Sequence, residues 1–195
     1  EQYLVEASLR RLISLGESEL LERIQVIVVD DGSSDRTPAV LARFRRSLED
    51  CSGGKFDWTF LQHEANRGKA AAIRTGLAHA NTELVAIHDA DLEYHPQDLL
   101  KMVQVFFAEE ADAVFGSRFL ASQYRRVLFF RHELGNRFLT LLSNLVSDLN
   151  LTDMETCYKM VRTKLLQSIP LVSERFGIEP EITIKLAKRG ARIFE

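Results

Sequence analysis

Two aspartates, Asp89 and Asp91, stand one residue apart at the end of an apolar run over residues 84–88. In an extended segment successive side chains point to opposite sides, so the pair shares one face. Two carboxylates that close repel, and one would hold its proton at neutral pH unless a cation lay between them. Magnesium or manganese removes that cost. Such hard cations take carboxylate oxygens and commonly bind through one or two acids plus the phosphates of a substrate. For an isolated Asp-x-Asp the simpler alternative is a solvated turn in which one Asp caps the next helix. A second acidic pair, Asp30 and Asp31, closes the β-branched run over 24–29. Asn66-Arg67-Gly68-Lys69 follows a further apolar run, where Gly68 lets backbone approach a ligand and Arg67 or Lys69 can meet phosphate. A solvated basic turn is the plain alternative for those two side chains.

The elements that must position these groups follow from periodicity. Leu4, Leu9, Leu12, Ile13 and Leu20 predict an amphipathic helix, followed by a strand over 24–29. Thr37 as N-cap with Pro38 at the first helical position starts a helix towards residue 48, broken by Ser52-Gly53-Gly54. Then come a strand over 56–61, an Ala-rich helix over 69–80, a strand over 84–88 and a helix opened by Pro96 and reaching 107. Residues 113–115 are strand-like, and Leu134, Phe138, Leu141, Leu145 and Leu149 share one face of a long helix. A helix over 181–188 precedes a terminal strand over 192–195. Strands alternating with helices predict a mainly parallel α/β sheet with its binding crevice at the carboxyl ends of the strands. Asp30, Asp31, Asp89 and Asp91 would then gather on one rim.

At 195 residues, with 46% hydrophobic and 27% charged residues, the chain has the size and composition of one soluble domain, 1–195. A net charge of -3 argues against a nucleic-acid partner. The two cysteines, Cys51 and Cys157, match no metal-ligand spacing, which predicts a reduced, cytoplasmic setting. No stretch reaches the roughly 20 apolar residues that span a bilayer, and no signal peptide pattern opens the chain. Opening without Met and ending within a strand predicts a fragment of a longer protein, truncated at both ends.

The strings VVDDGSSDRT, HEANRGKAAAIRTGLAHA, HDADLEYHPQDL, FGSRF and LTDMETCYKM, in that order, resemble a family 2 glycosyltransferase of the GT-A fold. The resemblance is greatest to enzymes that move a sugar from a nucleotide donor to a polyprenyl phosphate, such as dolichyl-phosphate mannosyl- and glucosyltransferases. It implies that Asp89 and Asp91 hold a divalent metal, magnesium or manganese, on the donor diphosphate, with Glu93 adding an oxygen. It implies that Asp30 and Asp31 face the nucleoside, Asp31 nearer the base or ribose, with Arg67, Lys69 and Asp89 completing the nucleotide site. Arg118 would point at the acceptor or donor phosphate. Arg131, with Arg125 and Arg126, surrounds Val127-Leu128-Phe129-Phe130, a patch suited to anionic lipid head groups, although its phenylalanines could equally join the core. Peripheral contact with the inner membrane face would follow.

Asp91, Asp153 and Glu155 are the implied catalytic acids, and Lys159 and Arg162 fall in the same motif as the last two. A sugar hydroxyl acceptor needs a carboxylate base, whereas a phosphate with a second pKa of about 6 is already nucleophilic, so Asp153 or Glu155 would only orient it. His63, His79, His88, His95 and His132 show no metal spacing and are expected to be structural or surface residues. Relatives usually open with an apolar strand that helps form the nucleotide pocket, yet this chain opens with a helix, so the first strand is expected to be missing. Alternatives are a transferase acting on a glycan or protein hydroxyl, and a non-catalytic nucleotide-binding module. A processive synthase is disfavoured, since no Gln-x-x-Arg-Trp occurs and Trp58 lies in a strand. A nucleotidyltransferase lacks its Gly-rich phosphate loop here. UDP-glucose ranks ahead of GDP-mannose as donor because the Asp-x-Met-Ser-Gly-Phe-Phe string of many mannosyl enzymes is absent.

Overall fold

The computed structural model describes residues 2–49, 54–120, 129–174 and 177–195. Helix α1 (Val5–Ile13) tightens into a 3-10 turn (Ser14–Glu17). The expected continuation to Leu20 fails because Gly16 lies against the Phe56 ring, 2.7 Å from where a Cβ would sit, and Leu20 is left half exposed outside the helix. Then follow β1 (Ile24–Asp30), α2 (Thr37–Glu49), β2 (Phe56–Gln62), α3 (Lys69–His79) and β3 (Leu84–Ala86). The second half comprises α4 (Gln97–Ala108), β4 (Ala113–Phe115), α5 (Phe130–Ser147), β5 (Lys159–Arg162), α6 (Thr163–Gln167), α7 (Ile178–Lys188) and β6 (Ile193–Phe194). At α2 the helix start is as expected but its cap is not: Asp35 Oδ1 accepts the Thr37 N–H at 2.8 Å, so Asp35 rather than Thr37 caps the first turn.

The architecture is α/β, with strands running mainly in one direction. β1 and β2 form a parallel pair, and β3, β5, β4 and β6 lie in that order in a second sheet. β4 and β6 are parallel, while β5 runs antiparallel between β3 and β4. β5 and α6 have no counterpart in the sequence reading, because a four-residue strand is too short to show a period. α7 begins three residues earlier than expected, at Ile178, since Pro180 is tolerated inside a first helical turn.

Two apolar clusters sandwich the sheets. One joins α1, α2 and α4 to Val26, Val28, Leu84 and Ala86, and the other joins α3, α6 and α7 to Val85, Ile87 and β4. Side chains of β4 and most of β5 are buried, but those of β1, β2 and β3 are almost all only half-buried. The sheet is split at β1 and β3, which belong to separate ladders.

α5 is turned inside out relative to its composition. Thr140 and Ser143 are its buried residues, and Asn144 exchanges two hydrogen bonds with the backbone of Leu151. The stripe of Leu134, Phe138, Leu141 and Leu145 faces outward. Phe129 and Phe130 are 80% and 79% exposed, so the two phenylalanines do not join the core. Arg125 and Arg126, with Val127 and Leu128, lie outside the described residues.

Candidate active site

The carboxyl ends of β1, β2 and β3 meet at one rim, and two loops there are locked together. Asp31, just after β1, accepts the backbone N–H of Arg67 at 2.9 Å and of Gly68 at 2.7 Å. His63 Nδ1 meets Asp31 Oδ1 at 2.7 Å and carries the proton there, because a carboxylate only accepts. Its other nitrogen meets the Thr75 hydroxyl at 2.9 Å. Burial pushes the Asp31 carboxyl up, but His63 and the two amides outweigh it and hold the acid ionised below its ordinary range. Gly32, at φ 66°, packs so closely on the 65–66 backbone that a Cβ would lie 2.5 Å from the Ala65 carbonyl carbon. Only glycine fits that approach. His63, expected as structural, is so, and it serves the rim.

Asp31 thus spends its oxygens inside the protein, whereas Asp30 is the reverse. Asp30 is 6% exposed, its Oδ1 accepts the Ser33 N–H at 3.1 Å, and its buried Oδ2 has no partner among the described residues. Arg67 is exposed and contributes its backbone, not its guanidinium, to the turn. Lys69, at the start of α3, reaches Asp89 Oδ2 at 2.7 Å and Glu179 Oε1 at 2.8 Å. Glu179, from the first turn of α7, was not anticipated. The only sequence signal for it was an acid at a helix start.

Asp91 is exposed and its Oδ1 accepts the Glu93 N–H at 2.9 Å. Among the described residues no three or more His, Cys, Asp or Glu side chains are gathered as a metal site, so Asp89, Asp91 and Glu93 do not form the expected ligand trio. The cause is local: Lys69 neutralises Asp89, while Asp91 closes a turn that bends the chain through Leu92 at φ 63°. The hard oxygens of a half-buried Asp89 and an exposed Asp91 still suit a magnesium or manganese ion that takes its remaining ligands from phosphate and water. Asp89 and Asp91 therefore fit such a cation only together with a phosphorylated ligand. A cavity of about 1410 Å³ connects Asp30, Asp31, Lys69, Asp89 and Asp91 and runs back between β1 and β3.

Across the rim, Asp153 is fully buried and gripped by Arg118. The guanidinium donates to both carboxylate oxygens at 2.7 and 2.8 Å, the Arg118 N–H adds a third bond at 3.0 Å, and Asn136 of α5 donates at 2.9 Å. Burial pushes Asp153 up, but Arg118 and Asn136 overcome it, so the carboxyl stays below its ordinary value. Such a carboxylate holds Arg118 in place and has no free lone pair directed at a substrate. Glu155 differs. It is partly exposed, and burial followed by the charge of Glu179 raises its carboxyl above the usual range.

Lys159, almost fully buried, ties the loop carrying these acids by donating to the Met154 and Thr156 carbonyls at 2.7 and 2.8 Å. Burial pulls its pKa down to about 8. Tyr94 stacks on Tyr158 with centroids 4.4 Å apart, and its hydroxyl accepts the Cys157 N–H at 3.1 Å. His88, also expected as structural, bridges the Ser8 and Tyr158 hydroxyls, each at 2.9 Å. Arg131 is exposed on the first turn of α5, and among the described residues no polar contact joins it to the Arg118 cluster.

A family model described as glycosyl transferase family 2 matches residues 2–169. The chain belongs to that family. It is 25% identical over 193 residues to the undecaprenyl-phosphate 4-deoxy-4-formamido-L-arabinose transferase of Edwardsiella ictaluri, covering 99% of this chain and 55% of that protein. Its fold is shared with the mannosyltransferase PcManGT from Pyrobaculum calidifontis, solved with GDP-Man and Mn2+, at TM-score 0.68 and 24% identity, covering 100% of this chain and 51% of that one. Glucosyl-3-phosphoglycerate synthase from Mycobacterium tuberculosis, solved with Mn2+, UDP and glucosyl-3-phosphoglycerate, superposes at TM-score 0.72 with 18% identity, covering 100% of this chain and 64% of that one. The chain therefore spans between half and two thirds of the length of these three proteins.

Proposed function

We propose that this family 2 glycosyltransferase domain binds a nucleotide sugar at the β1–β3 rim and transfers its sugar, with inversion, to a polyprenyl phosphate. The observation that carries the reading is a polar cavity and an apolar helix face tied to one cluster of charge. Asp30, Lys69 and the Asp89/Asp91 pair line one cavity, while Arg118 on Asp153 is joined through Asn136 to α5, whose other face is the outward apolar stripe. The chemistry of cavity and stripe differs, polar for a nucleotide and apolar for a lipid.

In this reading Asp30, with its unpartnered Oδ2, receives a ribose or base donor group, and Asp31 keeps the phosphate-facing turn in shape rather than touching the nucleoside. Lys69 turns from Asp89 to the donor diphosphate when nucleotide enters. Asp89 and Asp91 hold a divalent cation, which when bound supplies Lewis-acid neutralisation of the leaving nucleoside diphosphate. Arg118, fixed by Asp153, presents positive charge to the acceptor phosphate. Glu155 orients that phosphate in a single displacement. UDP-glucose ranks ahead of GDP-mannose as donor.

No helix among the described residues is long and apolar enough to cross a membrane. The exposed face of α5 instead suits contact with the head-group region, with Arg131 and Arg137 beside it. One observation supports a second reading. A half-buried Glu155 with a raised pKa is also what a base for a hydroxyl acceptor requires.

Calorimetric titration with UDP and with GDP, each with and without manganese, tests the donor half. Metal-dependent binding of one nucleotide, lost in Asp91→Asn, is the expected result, and binding of neither would overturn the proposal. Transfer of label to undecaprenyl phosphate and not to a glycan then separates the acceptor readings.

A further inference from the structure

On the reading of the acceptor side given above, we propose that Glu195 is a positioning residue for sugar transfer. Its carboxylate, laid across two consecutive backbone amides, fixes the loop that presents Glu155 and Arg118 to the acceptor. Residues 151–157, between α5 and β5, carry Asp153 and Glu155. The Thr152 N–H donates to Glu195 Oε2 at 2.8 Å, and the Asp153 N–H donates to Glu195 Oε1 at 2.9 Å. Neighbouring N–H groups that converge on one acceptor form an anion-binding nest, and here the anion belongs to the protein itself. A hydrogen bond to a carboxylate is roughly twice as strong as one between neutral groups, so the pair is a firm clamp.

Glu195 is exposed, so burial does not account for its place. The sheet delivers it. Phe194 pairs with Val114 in parallel register, which sets Glu195 level with Phe115 at the carboxyl end of β4, just before the chain turns out to Arg118. Both bonds that Glu195 accepts come from residues that govern Arg118. The Asp153 carboxylate accepts from the Arg118 guanidinium at 2.7 and 2.8 Å, and the Thr152 hydroxyl meets the Ser117 hydroxyl at 2.7 Å. Ser117 Oγ also accepts the N–H groups of Phe119 and Leu120 at 3.1 and 3.2 Å, so the backbone on either side of Arg118 is held against Thr152.

The other bonds of the loop single out Glu155. Asn144 holds Leu151, Thr140 holds the Met154 N–H, Lys159 holds the Met154 and Thr156 carbonyls, and the Tyr94 hydroxyl holds the Cys157 N–H. Within residues 151–157, Glu155 alone makes no hydrogen bond among the described residues. A loop fixed at every residue but one is a mount for that residue. Its carboxylate is left for a ligand, and its placement is only as exact as the turn that carries it. Glu195 is the one anion among the anchors named here, and nothing replaces it readily. Asp153 is fully buried, so its N–H would lose its acceptor with no water to take over.

Glu195→Gln keeps one oxygen for the two amides, and Glu195→Ala keeps none. Both variants are compared with the unaltered protein, below the unfolding midpoint of each, by calorimetry with UDP and GDP plus manganese, by amide exchange, and by sugar transfer to undecaprenyl phosphate and to a glycan. Nucleotide affinity should stay within about twofold, since the donor rim shares no bond with Glu195. Exchange at Thr152 and Asp153 should quicken. With whichever acceptor the unaltered protein uses, kcat should fall by about tenfold in Glu195→Gln and about a hundredfold in Glu195→Ala, with a raised acceptor KM, as for a reacting group misplaced by about 1 Å. A folded Glu195→Ala with unchanged kcat and acceptor KM would overturn the assignment. So would a joint decline of nucleotide affinity, kcat and acceptor binding that follows the unfolding midpoint, because that is the signature of a merely structural bond. An unaltered protein that transfers sugar to neither acceptor would instead overturn the functional reading beneath it, so the two failures are told apart.

Discussion

Replacing Lys69 with Met should make the protein bind manganese more tightly in the absence of nucleotide. The Lys69 ammonium lies 2.7 Å from Asp89 and 2.8 Å from Glu179, with the Lys69 and Asp89 side chains 27% and 31% exposed. Unit charges about 4 Å apart at an effective dielectric of about 20 attract by about 4 kcal/mol, an upper bound for what the lysine contributes at Asp89. Partial exposure and the sharing of one cation between two acids reduce the net value to about 1–2 kcal/mol. A divalent ion approaching Asp89 alone must displace that interaction. Its removal should therefore tighten manganese binding by about 5- to 30-fold. Electron paramagnetic resonance of free manganese during a titration reads this directly, with circular dichroism to confirm that Lys69→Met remains folded. In the presence of UDP or GDP the sign should reverse, because the variant has lost the group that turns to the diphosphate. Manganese affinity unchanged or weakened in the variant without nucleotide would refute the assignment of Lys69 as the resident counter-ion of Asp89.

Asp153→Asn should cost stability, about 3–5 kcal/mol, because it leaves the half-buried Arg118 without its carboxylate; urea denaturation measures it. The Asp153 carboxyl is held below its ordinary value, so its contribution is present above the unfolded-state pKa and lost as pH falls through the folded one. The acid limb of the stability curve should accordingly flatten in the variant. Glu155 has the opposite sign: its raised pKa means that the carboxylate required of a base is lost at a higher pH than for an ordinary Glu. With a hydroxyl acceptor, transfer should fall as pH drops through that pKa, and Glu155→Gln should abolish the reaction. With a polyprenyl phosphate the variant should retain activity without that limb. Phe130→Ser with Leu145→Ser should leave the unfolding midpoint nearly unchanged, since the residues are 79% and 73% exposed, while reducing cosedimentation with vesicles of anionic lipid.

The rim was legible because its chemistry is local in sequence. An acid at a strand end and a glycine after it are visible as strings, and the β-α alternation brings strand ends together whatever the packing details. The partners of those acids were not legible. Glu179 meets Lys69 across 110 residues, and Asn136 and Arg118 converge on Asp153 from different elements. Nothing in spacing announces such pairs. The same limit hid β5, whose four residues enter the sheet only because Val161 and Met160 find β3 on one side and β4 on the other. It also hid which of Asp30 and Asp31 the 66–68 turn consumes, since their positions along the strand do not say which carboxylate will accept its amides.

α5 shows how a correct period can mislead about burial. Its apolar stripe has helical spacing, and an isolated reading turns such a stripe inward. The structure turns it outward because the opposite face carries what the site needs. Asn136 must reach Asp153, Thr140 Oγ1 must accept the Met154 N–H at 3.1 Å, and Asn144 must hold Leu151. All three bonds anchor the loop that bears Asp153 and Glu155, so rotating the helix to bury its leucines would release that loop. The exposed stripe is thus coupled to Asp153 and Glu155 by the geometry of one rigid element. A partner that covers the stripe therefore restrains the loop of Asp153 and Glu155, and under the proposed function a lipid-linked acceptor would meet both faces of that element at once.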